Sequence, residues 1–301
     1  DKTVSPSNFA IRPDDFFAIA PKLILKEGTP VKLGSPIFFS KKNPDIKFVS
    51  PVAGTITTVV RGPKRKIENI IIKASSKQDS IKYSVSGWDK KNRDDLKSLL
   101  TSSGNWPFIH QRPYGTIANP TDTPKAIFVS TVKTDPLHGD LQFILKDQKN
   151  DFQLGINLLN KLVDQPVFLG VEKEFSDYFE SIEGVQHYTV RGPHPAGNLS
   201  LHIQELTPLN IGERIWTVNA EDVANLGRFL NSGIFCSRRT VAISGNAVEN
   251  PKYFQTTIGA ELQPFLRKVG TIDKKIRVIN GDVLTGDDST FNSFLGYFNN
   301  L

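Results

Sequence analysis

The run Ala126-Ile127-Phe128-Val129-Ser130-Thr131-Val132 leads straight into Thr134-Asp135-Pro136-Leu137-His138-Gly139-Asp140. A short apolar run bounded by turn residues reads as a strand buried on both faces, and the Pro- and Gly-bearing loop as its end. Downstream, Leu154, Leu158, Leu159 and Leu162 recur at helical spacing within Phe152 to Leu162. Strand and helix then alternate. Pro166 to Val171, His187 to Val190 and Ile215 to Val218 read as strands, and Phe175 to Ile182 and Glu221 to Leu230 as helices. Upstream, Leu96, Leu99 and Leu100 mark one more helix from about Asp89, with Gly104 where a C-cap belongs. The alternation predicts an α/β layer with parallel strands over residues 85–236.

Toward the amino terminus the pattern changes to short strands broken by Gly and Pro. Leu23 to Leu25, Val31 to Gly34, Ile37 to Phe39, Thr55 to Val60 and Ile67 to Ile72 carry it, with a polar tip at Lys41 to Asp45. This predicts a small β-barrel or sandwich over residues 12–84, with 75–84 linking or edging it. The first eight residues are polar, and residues 1–11 read as a mobile end. Toward the carboxyl terminus, Thr240 to Ser244, Tyr253 to Ile258, Ile276 to Gly281 and Leu295 to Phe298 read as strands around a brief helix at Leu262 to Leu266. That predicts a small α+β module of β-grasp type over 237–301.

The chain has 301 residues, with 37 Lys+Arg, 31 Asp+Glu, five His, one Cys and no Met. Its length calls for two or three domains. The missing Met fits either a piece of a longer chain or modified methionines absent from the sequence as written. The net charge of +6 is uneven: residues 1–100 hold 19 basic and 10 acidic groups (+9), and the rest hold 18 and 21 (−3). A basic front module fits an acidic partner, an anionic membrane face, nucleic acid, or only a solvated Lys-rich surface. The aromatics do not interleave with the basic clusters, which argues against nucleic acid. No run approaches ~18 apolar residues, and no signal-peptide pattern opens the chain. One Cys leaves no internal disulfide and fits a reducing compartment.

The densest constellation is Arg191-Gly192-Pro193-His194-Pro195-Ala196-Gly197, flanked by His187 and His202. It follows a strand end, where open α/β sheets hold their ligands, and its prolines and glycines fix the backbone path. His194 can offer a donor or acceptor to a carbonyl or hydroxyl; the loop can equally be a rigid turn that docks one domain on the next. The three His lack a metal-site spacing, and a lone Cys236 leaves no cysteine-bound cluster or zinc site. Asp135 reads as a turn, a cap or a binding group. Lys64-Arg65-Lys66 is a basic turn, either solvated or docked on an acidic partner or lipid headgroups. Neither a phosphate-cradling G-x-x-x-x-G-K-[ST] loop nor G-x-G-x-x-G nor G-x-S-x-G occurs.

Several of these stretches carry a family resemblance. Lys41-Lys42-Asn43-Pro44, Ser50-Pro51-Val52-Ala53-Gly54, Arg61-Gly62-Pro63-Lys64-Arg65, Ala126 to Val129 with Asp135-Pro136-Leu137, Gly192 to Gly197, and Arg277 to Gly286 lie in order along the chain. Together they resemble the A subunit of the sodium-translocating NADH:quinone oxidoreductase. That family's chain is longer, so the resemblance implies its N-terminal two-thirds. It implies a barrel-sandwich hybrid module similar to lipoyl and biotinyl carriers. It also implies a Rossmann-like α/β domain similar to the flavin subunit of respiratory complex I, and a soluble-ligand-binding β-grasp module. His110-Gln111-Arg112-Pro113-Tyr114-Gly115 stands where that relative has a glycine-rich flavin loop, and it is poor in glycine.

The resemblance further implies a peripheral subunit on the cytoplasmic face of the bacterial inner membrane. It would sit against the membrane-embedded B subunit of a complex that oxidises NADH, reduces ubiquinone or menaquinone and exports sodium. Flavins, the iron–sulfur cluster and the NADH site would belong to other subunits, and this chain would hold no metal, no catalytic residue and no covalent cofactor. Gly192 to Gly197 and Asp135 are then candidates for quinone proximity or an interface, and Lys64, Arg65 and Lys66 for docking. Two other functions stay open: a stand-alone flavin or NADH oxidoreductase, and a purely structural docking subunit. The residues around Lys41 and Lys42 do not resemble a carrier's modification motif. An intact mass equal to that of the unmodified sequence is therefore expected; a lipoyl or biotinyl adduct would refute it.

Overall fold

The computed structural model describes residues 4–172, 176–270 and 276–298. Two small antiparallel sheets make the first module. One runs in the order Asn8–Ile11, Ile67–Ala74, Gly54–Arg61, Pro30–Val31; the other in the order Pro21–Leu23, Pro36–Ser40, Lys47–Val49. Ile37, Phe38, Phe48, Ile56, Ile70 and Ile72 are fully buried and form the core, with the consecutive Ile37 and Phe38 at a register shift in their strand. A Cβ on Gly54 would lie 2.1 Å from the carbonyl oxygen of Lys73, so only glycine lets these strands meet. Asn8–Ile11 corrects the expectation of a mobile end over 1–11. Phe9, Ala10 and Ile11 are buried, and the strand pairs with Ile67–Ala74. Its polar neighbours Ser7 and Asn8 are held by the Glu261 carboxylate, a partner that the local sequence pattern cannot announce.

The middle layer is a six-stranded sheet in the order Gln186–Val190, Val167–Glu172, Ile127–Ser130, Ile215–Asn219, Ile109–Arg112, Thr116–Ile117. The first four strands are parallel; the last two are antiparallel additions. Ile127 and Val129 face the helices Lys149–Leu162 and Ala220–Ser232, while Ala126 and Phe128 face Leu199–Leu206. Burial on both faces explains why Ala126 to Val129 is apolar without alternation. The two helices on the first face cross at glycines. A Cβ on Gly155 would lie 2.0 Å from the Val223 carbonyl, and one on Gly227 would lie 1.8 Å from that of Asp151.

One expectation changes here. Residues 109–112, read as part of a loop, are a strand: Trp216 on the neighbouring strand pairs with Gln111. The helices Leu141–Leu145 and Leu199–Leu206 lie in stretches for which the sequence pattern gives no element. The helix Arg93–Ser102 stands as read, capped by the Asn92 side chain and followed by Gly104 at φ 79°.

The third module pairs Arg238–Ile243 with Lys252–Thr257 and Val278–Asn280 with Asp287–Ser289, around the helix Gln263–Val269. Leu295 to Phe298 does not form the expected strand. It docks as an irregular segment whose Tyr297 and Phe298 rings pack on Phe16 at centroid distances of 4.8 and 5.6 Å.

One buried polar chain joins the modules. The Arg239 guanidinium lies 2.6 Å from the Asp222 carboxylate and 4.0 Å from that of Glu221, and it donates to the Tyr297 carbonyl. The Tyr297 N–H in turn donates to Asp15, which pairs with Arg12. Burial pushes the carboxyls of Asp15, Glu221 and Asp222 above their ordinary range, against the pull of the arginines. Arg239→Leu strands two buried carboxylates and is expected to cost about 3–5 kcal/mol in urea denaturation. Arg239→Met combined with Glu221→Gln and Asp222→Leu is expected to recover most of that loss. If the triple variant unfolds as early as the single one, the interaction is more than charge compensation.

Candidate functional site

The order of the parallel strands reverses between Ile127–Ser130 and Ile215–Asn219, and such a switch point opens a crevice beyond the carboxyl ends of the strands. Two loops converge there. The Thr134 Oγ1 accepts the Gly197 N–H at 2.9 Å and lies 3.3 Å from His194 Nδ1. The structure therefore brings the Asp135 loop against Gly192 to Gly197, 60 residues away in the chain for the Thr134–His194 pair. A Cβ on Gly197 would lie 2.8 Å from Thr134 Oγ1 and 2.9 Å from Thr134 N, so the contact requires glycine. The loop shape comes from its own turns: Ala196 N–H donates to the Pro193 carbonyl and Asn198 N–H to that of Pro195. Gly192 sits at φ 116°, and the His194–Pro195 peptide is cis.

A buried relay supports this loop from below. His202 Nε2 lies 2.6 Å from the Ala196 carbonyl, and its Nδ1 lies 2.9 Å from the Tyr188 hydroxyl. The carbonyl can only accept, so Nε2 carries the proton and Nδ1 accepts from Tyr188. Burial raises the Tyr188 hydroxyl far above its ordinary value, which keeps it a donor. The ring fits because Gly170 lies beneath it: a Cβ there would be 2.6 Å from the ring. His187 donates to the Phe179 carbonyl at 2.9 Å. The three histidines thus have separate partners, and among the described residues no group of three His, Cys, Asp or Glu gathers as a metal site. Thr134, Tyr188 and His202 position the loop. Reading the sequence alone missed their joint role, because Thr134 meets the loop 63 residues away in the chain and Tyr188 reaches it only through His202.

One helix start at the switch point is capped by the chain's own carboxylate, and another carries two acidic residues in its first turn. Asp140 accepts from the N–H groups of Gln142 and Phe143 at the head of Leu141–Leu145. Glu221 and Asp222 occupy the first turn of Ala220–Ser232 and turn to Thr240 and Arg239. These are the positions where nucleotide-binding layers receive phosphate. An anion at the first start would have to displace the Asp140 cap, and at the second Glu221 and Asp222 are already committed to Thr240 and Arg239. The segment 110–115 offers no substitute cradle. His110 lies in a strand with its ring edge-on to Phe298 at 4.6 Å, and burial, with the nearby Arg112, lowers its pKa to about 4.

Asp135 is half-buried, and its carbonyl lies 2.6 Å from His138 Nδ1. Leu137, two residues on, is exposed at φ 63°. Lys64, Arg65 and Lys66 sit on the hairpin of the first module; Lys66 pairs with Asp14 at 2.7 Å, while Lys64 and Arg65 take positive φ. Cys236 is half-buried with its Sγ 3.1 Å from Asn225 Oδ1.

A dinucleotide-type strand order with one helix start capped by Asp140, set between a β-sandwich and a small α+β module, defines the class of protein. Family descriptions match in the same order: "NqrA N-terminal barrel-sandwich hybrid domain" over residues 1–75, "NqrA second alpha/beta domain" over 91–235 and "NQRA C-terminal domain", of SLBB type, over 240–290. The chain belongs to the NqrA family. It is 32% identical over 97% of its length to the A subunit of the Na(+)-translocating NADH-quinone reductase of Rhodopirellula baltica, covering 65% of that protein. The protein of the same name from Haemophilus influenzae is 31% identical over 92% of this chain, and 62% of the relative is covered. The chain thus spans just under two thirds of the length of these relatives. Among solved structures, a chain of an NAD+-reducing NiFe hydrogenase shares the fold with a TM-score of 0.51 at 12% identity, over 73% of this chain and 47% of that one.

Gly197→Ala forces its methyl into the Thr134 backbone and is expected to destabilise the loop pair by about 1–3 kcal/mol. Hydrogen exchange should rise at residues 192–198 and 131–135 and remain unchanged in the first module. Equal exchange in both proteins would show that the two loops are not interlocked.

Proposed function

We propose that this chain is a peripheral, cofactor-free subunit of a membrane complex that couples NADH oxidation and quinone reduction to sodium export, and that it contributes to the quinone-reduction end. The observation that carries the reading is the ordered match of all three modules to one family, joined to a switch-point crevice whose helix starts already hold carboxylates. In this reading NADH, flavins and the iron–sulfur cluster are held by other subunits. Ubiquinone or menaquinone approaches the loop pair formed by Asp135 and Gly192 to Gly197, with His194 as the hydrogen-bonding group. The membrane-embedded B subunit is the neighbour, the cytoplasmic face of the bacterial inner membrane is the location, and Lys64, Arg65 and Lys66 are docking contacts. Among the described residues no helix is long and apolar enough to cross a membrane, which suits a peripheral position.

The Asp140 cap and the glycine-poor segment 110–115 speak against a stand-alone flavin or NADH oxidoreductase. A purely structural docking role differs from the proposal only in quinone contact. Photolabelling the intact complex with a quinone that carries a photoreactive ring tests that difference. Adducts are expected on peptides that contain residues 134–139 or 192–197, and excess unlabelled quinone should suppress them. Adducts confined to other subunits would reduce the chain to a scaffold. FMN added to the purified chain is expected to keep its free fluorescence; tight quenching would restore the flavin-enzyme reading.

A further inference from the structure

Beyond the loop pair, a cavity of about 410 Å³ opens between Pro136-Leu137 of the α/β layer and the third module. Its wall is mainly aliphatic. Leu137, Ile243, Val248, Leu266, Val278 and Val283 are among its lining residues, Ser244 and Asn246 add neutral polar groups, and no aromatic ring lines it among the described residues. Pockets that take small molecules range over about 300–1,000 Å³ and share this apolar lining.

Both charged groups on the wall have partners elsewhere. The Asp282 carboxylate accepts the N–H groups of Leu284 and Thr285 at 2.8 and 2.9 Å and the Thr285 hydroxyl. Arg277 pairs with Asp288 at 2.8 Å. Both groups are thus already engaged by neighbours in the chain, and a charged ligand would gain little for the hydration it loses. The rim is apolar as well: the lining residues Leu137 and Val283 are 58% and 41% exposed. Leu137 sits there at φ 63°, a conformation that costs a branched side chain energy, and it brings the isobutyl group to the mouth rather than into a core.

We propose that this cavity binds the aliphatic chain of a neutral amphiphile, with the polar end left at the rim. Aliphatic walls without a stacking partner fit a saturated or prenyl chain better than a flat aromatic head. The chain can come from two sources, an isoprenoid tail or a fatty acyl chain. The inference stands on the cavity alone and does not need the quinone reading.

The test is a titration of the purified chain, methyl-labelled at Ile, Leu and Val, with farnesol and separately with dodecanol, followed by methyl NMR. Saturable shifts are expected at the methyls of Leu137, Ile243, Val248, Leu266, Val278 and Val283. Leu137→Asn changes only the rim, and asparagine tolerates its backbone; Ala247→Phe narrows the cavity. Each is expected to weaken binding at least tenfold while the remaining methyl spectrum is kept. Ile211→Asn, at a fully exposed apolar residue outside the cavity, should bind as the parent does. Tighter farnesol binding assigns an isoprenoid source, and tighter dodecanol binding an acyl one; both support the site. Absence of saturable shifts, shifts spread over exposed residues such as Leu201 and Ile211, or undiminished binding in both rim and cavity variants would overturn it. Failure of quinone photolabelling would leave this result untouched.

Discussion

Arg239 lies in the interior with its charge between Asp222 and Glu221, and the arrangement of the three modules depends on that placement. The arginine belongs to the third module and the carboxylates to the α/β layer. Through the Tyr297 peptide the same group reaches Asp15 of the β-sandwich. A buried ion pair adds little net stability over a well-packed apolar substitute. Its weight lies in the penalty for any arrangement that separates the partners. Aromatic packing completes the junction. Phe16 contacts Phe38, Phe48, Tyr297 and Phe298, while Phe108 meets Tyr297 and the Arg239 guanidinium.

The same carboxylates explain why a dinucleotide-type layer need not hold a nucleotide. A helix amino terminus is an anion site only while its N–H groups and positive end are available. Here Asp140 satisfies one helix, and Glu221 and Asp222 bring negative charge to the other while reaching toward the neighbouring module. A surface that could serve a phosphate serves the assembly of the domains instead. The scaffold keeps its strand order because that order is fixed by two-sided burial and by the Gly155 and Gly227 helix crossing, neither of which involves a ligand.

Much of this was legible in the sequence. Apolar runs such as Ala126 to Val129 and the helical spacing of Leu154 to Leu162 report burial directly, so the α/β layer follows from them. The motifs around Asp135 and His194 were visible as unusual backbone, and both lie at strand ends as read. What stayed hidden depends on partners far apart in the chain. Asn8–Ile11 follows a polar stretch and shows itself as a strand only with Ile67–Ala74 and Glu261 beside it. Residues 109–112 have no strong strand pattern and take their form from Ile215–Asn219. Leu295 to Phe298 has the composition of a strand, but its backbone is committed to Asp15 and Arg239. Neither the closeness of Thr134 to Gly197 nor the apolar cavity beside Leu137 has a local signature.

The contact between Asp15 and Tyr297 also has a consequence in time. The two residues are 282 positions apart, and a chain made from its amino terminus presents Asp15 long before Tyr297 exists. Until the third module arrives, the β-sandwich must hold Phe16 and a carboxyl group on a surface later covered by Tyr297 and Phe298. Closing so long a loop costs entropy that only the completed junction returns. The nascent first module is thus a provisional structure, and the side chains that leave it incomplete are the ones that later seal the whole.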